Sequence, residues 1–150
     1  MGGKDPISIL FEHMKIVICG SMSSARKMME LGEELTQMGH EIVLPKDTRE
    51  YAEKILAEES SWESTQNKIE HDLIRGYFEE IKNANAILVA NFDKRGIRNY
   101  IGGNAFLEMG FAHVLYKRVF LLNAIPDMIY TDEIRAMQPI MLHGNLLNIK

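Results

Sequence analysis

Lys15-Ile16-Val17-Ile18-Cys19-Gly20-Ser21-Met22-Ser23-Ser24 decides the fold of this 150-residue chain. The first five residues are an apolar, largely β-branched run with no alternation of polar positions. Such a run suits a strand covered on both faces, as in a parallel sheet. It passes at once into a loop of small residues, and a helix follows from about Ala25 to Met38, stopped by Gly39 in the C′ position. Strand, small-residue turn and helix together form the opening unit of an α/β domain.

The same alternation continues outward. Glu41–Leu44, closed by Pro45, reads as a second strand. Asp47-Thr48-Arg49-Glu50 is a capping-box pattern that opens a helix to about Glu59, and Ser60-Ser61-Trp62-Glu63 offers a second such start. The next helix carries Ile69, Leu73, Tyr77 and Ile81 at four-residue spacing, a stripe for the sheet. Asn85–Ala90 is the third strand, and a charged loop from Asn91 to Arg98 leads into Gly102-Gly103. Asn104 is placed as the N-cap of a helix to about Tyr116. Arg118–Leu122 is the fourth strand, Thr131 caps a short helix to about Met137, and Leu146–Ile149 is a candidate fifth, edge strand.

Strands alternating with helices predict parallel pairing with right-handed crossovers. Five strands in this length predict a flavodoxin-like (Rossmann-like) sheet of order 2-1-3-4-5 with helices on both faces. In such sheets ligands lie beyond the carboxyl ends of the strands, where the order reverses. The Gly20–Ser24 and Asn91–Asn104 loops are therefore expected to face each other across one cleft.

Composition narrows the function. With 46% hydrophobic residues the chain has material for one core, and a net charge of -4 without long single-sign runs argues against a nucleic-acid surface or a membrane anchor. One cysteine, Cys19, permits no intramolecular disulfide and fits a reducing cytoplasm. His40, His71, His113 and His143 have no metal-ligand spacing, so no metal and no cofactor are expected. Residues 1–13 read as an appended or disordered N-terminal extension and residues 14–150 as a single domain, because Met14-Lys15-Ile16-Val17 has the look of a natural start.

Glu108 is the formally charged residue in the otherwise uncharged run from Ile101 to Tyr116. Helical spacing surrounds it with Asn104, Ala105, Phe111, Ala112 and Leu115, an apolar setting that is costly for a carboxylate unless it is paired or used. A plain structural role, complementing the helix dipole, is the competing reading. Gly20, Ser21, Met22, Ser23 and Ser24 offer amides and hydroxyls at a helix start, an arrangement suited to an anion.

Cys19-Gly20-Ser21-Met22 after the first strand, and Gly103-Asn104-Ala105-Phe106-Leu107-Glu108-Met109-Gly110-Phe111-Ala112 followed by Tyr116-Lys117-Arg118-Val119, resemble the nucleoside 2-deoxyribosyltransferase superfamily. The first-strand loop is most similar to the 2'-deoxynucleoside 5'-phosphate N-hydrolase branch, and the resemblance spans roughly Met14 to Leu122. It implies cleavage of the N-glycosidic bond of a (deoxy)nucleoside or its 5'-monophosphate. Glu108 would be the nucleophile, as in a retaining glycosidase, and water or a second base the acceptor. It further implies that Gly20–Ser24, with Gly102, Gly103 and Asn104, hold the substrate, and that the chain forms a homodimer or higher homo-oligomer.

The chain departs from that pattern at two places. The position where the family carries an aspartate, eight residues before Asn85, is Tyr77, and the first-strand tyrosine of many members falls on Val17. Tyr77 is then the residue that donates a proton or orients Glu108, and Asp93, ending the third strand, is a better-placed spare acid than Asp72. These departures make a non-catalytic nucleotide-binding or sensing domain the alternative. A flavodoxin-type electron carrier rests on fold analogy alone, and a phosphorelay receiver fits poorly because the first strand ends without an acidic pair.

Overall fold

The computed structural model describes residues 13–53 and 61–150. Five strands, β1 (Lys15–Cys19), β2 (Glu41–Val43), β3 (Ala86–Val89), β4 (Arg118–Leu121) and β5 (Ile140–Met141), form one sheet of order β2-β1-β3-β4-β5. Every pairing is parallel. The helices are α1 (Ala25–Gln37), α2 (Thr48–Ala52), α3 (Ser61–His71), α4 (Leu73–Lys82), α5 (Gly103–Val114) and α6 (Thr131–Ala136). Most of the N-terminal extension and residues 54–60 lie outside the described residues, and the helix expected to reach about Glu59 ends at Ala52 with Glu53 as its C-cap.

Period-two alternation divides β1 between two apolar layers. Ile16 and Ile18 pack with Met28, Leu31 and Leu35 of α1 and with the C-terminal Leu146 and Ile149. Val17 and Cys19 point the other way, into a layer built by Ile81 of α4, Ala105, Met109 and Ala112 of α5, and Ile134 of α6. All four central-strand side chains of β3 are buried. Cys19 and Glu108 thus approach one another because strand parity sends residue 19 toward the α4–α5 side. Full burial of a side chain such as Met109 contributes roughly 2 kcal/mol.

Several boundaries differ from expectation. β5 is Ile140–Met141, paired to Phe120 and Leu121, whereas Leu146–Asn148 is a 3-10 turn whose Asn145 side chain accepts from the Leu147 amide. The apolar run near the C-terminus packs as a plug on the α1 face instead of extending the sheet. The four-residue stripe is not one helix: Asp72 adopts φ 48° and separates α3 from α4. Ile81 is consequently fully buried while Ile69 is 68% exposed. Asp47 precedes α2 in a left-handed conformation with no side-chain cap bond. Thr131 is the first residue of α6 rather than its cap, and its hydroxyl serves the Pro126 and Met128 carbonyls.

α5 begins two residues earlier than its sequence suggests. Gly102, in extended conformation, is the N-cap and Asn104 lies exposed within the first turn. The helix ends at Val114, and Tyr116 takes the left-handed position beyond it at φ 58°. Behind the sheet's carboxyl edge, buried Asn91 clamps β3 to the segment after β4. Its side chain donates to the Asn123 and Ala124 carbonyls and accepts the Asn123 amide. Tyr130, from that segment, stacks on Phe106 at 4.3 Å and donates to the Ile101 carbonyl, which fixes the start of α5.

Candidate active site

A cleft of about 640 Å³ opens beyond the carboxyl ends of β1 and β3, where the strand order reverses. That size suits a small organic ligand. The loop after β1 and the loop after β3 form its two sides, and Lys94 joins them by donating to Ser21 Oγ at 2.6 Å. Ser21 Oγ also meets Ser23 Oγ at 2.9 Å. Gly20 is closely packed: a Cβ there would stand 3.0 Å from Met28 Sδ and 3.4 Å from Ala90 Cβ, so those neighbours would have to give. Small residues after β1 thus let the chain turn tightly against β3 and leave room for the cleft.

Glu108 lines this cleft from the second turn of α5. It is not in the first turn, so complementing the helix dipole does not account for it. Its Oε2 is buried and has no hydrogen-bond partner. Burial raises its pKa from 4.5 to about 7, and the hydrogen bond from the Cys19 thiol pulls in the opposite direction. Cys19 itself is fully buried, and burial followed by the charge of Glu108 drives its own pKa well up, so the thiol stays protonated and donates.

Tyr77 reaches the cleft from α4 and donates its hydroxyl to the Ile18 carbonyl of β1. Burial first, then the nearby Cys19 and Glu108, push its pKa well above the ordinary tyrosine value. With its hydroxyl proton given to the Ile18 carbonyl, Tyr77 braces the floor of the site. Asp93 does not join Glu108. It is exposed, lies outside the cleft lining, and accepts the Asn99 amide at 2.8 Å, which shapes the β3 loop.

The remaining sequence candidates divide similarly. Gly20, Ser21, Met22, Ser24, Gly102, Gly103 and Asn104 line the cleft, whereas Ser23 is exposed beside it. Two residues of the cleft and one behind it escaped the sequence reading. Lys94 was hidden in a charged loop, and its partner is 73 residues away. Glu80 stands three residues after Tyr77 on the same helical face, a spacing that could have revealed it. Cys19, buried behind the cleft, is turned toward α5 by strand parity, which was the available signal.

Phe92, Tyr100, Tyr77 and Phe111 give the cleft aromatic walls. The Arg95 guanidinium lies over the Tyr100 ring at 6.0 Å. A planar, partly apolar ligand with a polar end fits this combination. Among the described residues no His, Cys, Asp or Glu side chains gather as a metal site, and no helix is long and apolar enough to cross a membrane. Comparison of the chain with protein-family models and with curated proteins gives no match, so the functional reading is carried by the site's geometry and by the resemblance of its motifs.

Proposed function

We propose that the protein cleaves the N-glycosidic bond of a (deoxy)nucleoside or its 5'-monophosphate, with Glu108 as nucleophile. The observation that carries this reading is the buried, unpartnered Oε2 of Glu108 at the wall of a ligand-sized cleft. Among the described residues no basic side chain is paired with it, and an apolar environment strengthens the attraction between a carboxylate and an oxocarbenium-like carbon. Aromatic walls suit a stacked base, and the Gly20–Ser24 loop with Lys94 suits the polar 5' end of the sugar. The motif resemblance described above points to the same chemistry.

The reaction runs through a glycosyl ester on Glu108, resolved by water or by a second base. Incubation with a panel of nucleosides and nucleotides, followed by chromatography, is expected to show free base. Glu108→Gln is expected to abolish release and retain ligand binding. No release from any member of the panel overturns the reading.

A nucleotide-binding domain without turnover is the second reading. It is favoured by Tyr77, whose hydroxyl is held by the Ile18 carbonyl, and by Asp93, which lies outside the cleft. It predicts thermal stabilisation by a nucleotide with no product formed. In either case we infer self-association through α4 and α5. Leu107, Val114 and Ile74 there are 42%, 74% and 45% exposed, and a strict monomer by light scattering would exclude it.

A further inference from the structure

Cleavage through Glu108 needs a proton for the departing base, and neither Tyr77 nor Asp93 is arranged to give it. Besides Glu108, three acids line the cleft: Asp47, Asp72 and Glu80. Asp72 is engaged, with both carboxylate oxygens 3.3 Å from Arg75 Nη1, and its side chain is more than half exposed. Asp47 precedes α2 on the β2 side of the cleft. Glu80 is different. Leu73, Gly76, Tyr77 and Glu80 form one face of α4, and all four line the cleft. The Tyr77 ring is fixed by its hydroxyl's bond to Ile18, so Glu80 stands one turn along α4 from the tyrosine that packs beside Glu108. The charges of Glu108 and Glu80 both act on Tyr77. Glu80 is also half-buried, and no ion pair or hydrogen bond ties its carboxyl to a described residue.

We propose that Glu80, which lines the cleft one turn along α4 from Tyr77, is its catalytic acid–base. This rests on the glycosidic reading above. In the first step a Glu108 oxygen bonds to the anomeric carbon as the carbon–nitrogen bond breaks. The electron pair of that bond leaves with the base, and the proton of the Glu80 carboxyl passes to the base nitrogen. In the second step water attacks the same carbon, its proton goes to the Glu80 carboxylate, and the ester bond to Glu108 breaks. Both groups return to their starting states.

The test compares two substrates in the wild type, Glu80→Gln and Glu80→Ala: a deoxynucleoside cleaved by the wild type, and an aryl 2-deoxyriboside such as the 4-nitrophenyl compound, whose leaving group departs without a proton. The expected loss on the nucleoside is roughly 10²- to 10⁴-fold. On the aryl compound the loss of the bond-breaking step is at least tenfold smaller, and azide restores turnover with formation of the 2-deoxyribosyl azide. Glu80→Ala gives the same pattern and carries the test should the Gln variant fold poorly. Equal losses on both substrates, or no loss on the nucleoside, overturn the assignment of Glu80 and leave the function of Glu108 standing. A wild type that cleaves neither substrate overturns the glycosidic reading and this assignment together.

Discussion

The Cys19 thiol at the end of β1 hydrogen-bonds the Glu108 carboxyl in the second turn of α5. The contact links an interior strand of the sheet to the helix that carries the proposed nucleophile. It also opposes the effect of burial on that carboxyl, which otherwise favours the neutral form. Cys19→Ala removes a donor to the charged form, so the midpoint of Glu108 rises above about 7, by roughly 0.5 to 1 pH. The acidic limb of the kcat/KM profile is expected to move upward with it, while Cys19→Ser, which keeps a donor, moves it less. A carboxyl carbon-13 titration of Glu108 reads the same midpoint directly. An unchanged midpoint in Cys19→Ala would show that the thiol is only packing.

Glu108 also makes stability depend on pH. Its folded pKa, about 7, lies above the unfolded value of 4.5 because burial penalises the charge. The favourable contribution of the neutral form is complete below the unfolded value and is lost as pH rises through about 7. Replacement by Gln removes that loss. Glu108→Gln is therefore expected to be more stable than wild type at pH 8.5 by up to roughly 3 kcal/mol, and close to wild type at pH 4. Urea unfolding at the two pH values measures this, and an equal difference at both would contradict it.

His40 has the opposite sign. It is 4% exposed, its Nδ1 accepts the Met14 amide, and its Nε2 has no partner. Burial, and then the nearby His13, lower its pKa from 6.5. A depressed pKa means that the stabilising neutral form is present above 6.5 and is lost as pH falls through the folded value. The expected outcome is an acid-side loss of stability that His40→Gln, which can still accept the Met14 amide without titrating, reduces. Thermal midpoints recorded from pH 7 down to pH 5 decide it, and parallel curves for the two proteins would refute the role.

Most of the sheet was legible because its strands are continuous apolar runs ended by small residues, a pattern set by burial on both faces. Ile16–Cys19 and Ala86–Val89 could hardly be anything else. The edge was not legible, because a two-residue strand such as Ile140–Met141 has too few side chains to show a period. The break at Asp72 was equally hidden, since a stripe at four-residue spacing continues across it and only the backbone reveals φ 48°. Glu108 stood out in the sequence as a charge among apolar neighbours. Its thiol partner did not, because Cys19 reaches it from a strand about ninety residues earlier and no local pattern records that contact.

Gly76 gives a clean test of where the ligand lies. It sits inside α4 between Leu73 and Tyr77, lines the cleft, and a Cβ there would meet no atom within 4 Å. Glycine inside a helix costs about 0.5 to 1 kcal/mol relative to alanine, so Gly76→Ala is expected to raise stability by about that amount. A large side chain at the same place extends into the cleft instead of the core. Gly76→Trp is accordingly expected to fold with near-wild-type stability while weakening nucleotide binding at least tenfold, read by calorimetry beside a denaturation curve. Tight binding retained by a folded Gly76→Trp variant would place the ligand elsewhere on the molecule, because a side chain of that size cannot share the space between α4 and Glu108 with a base.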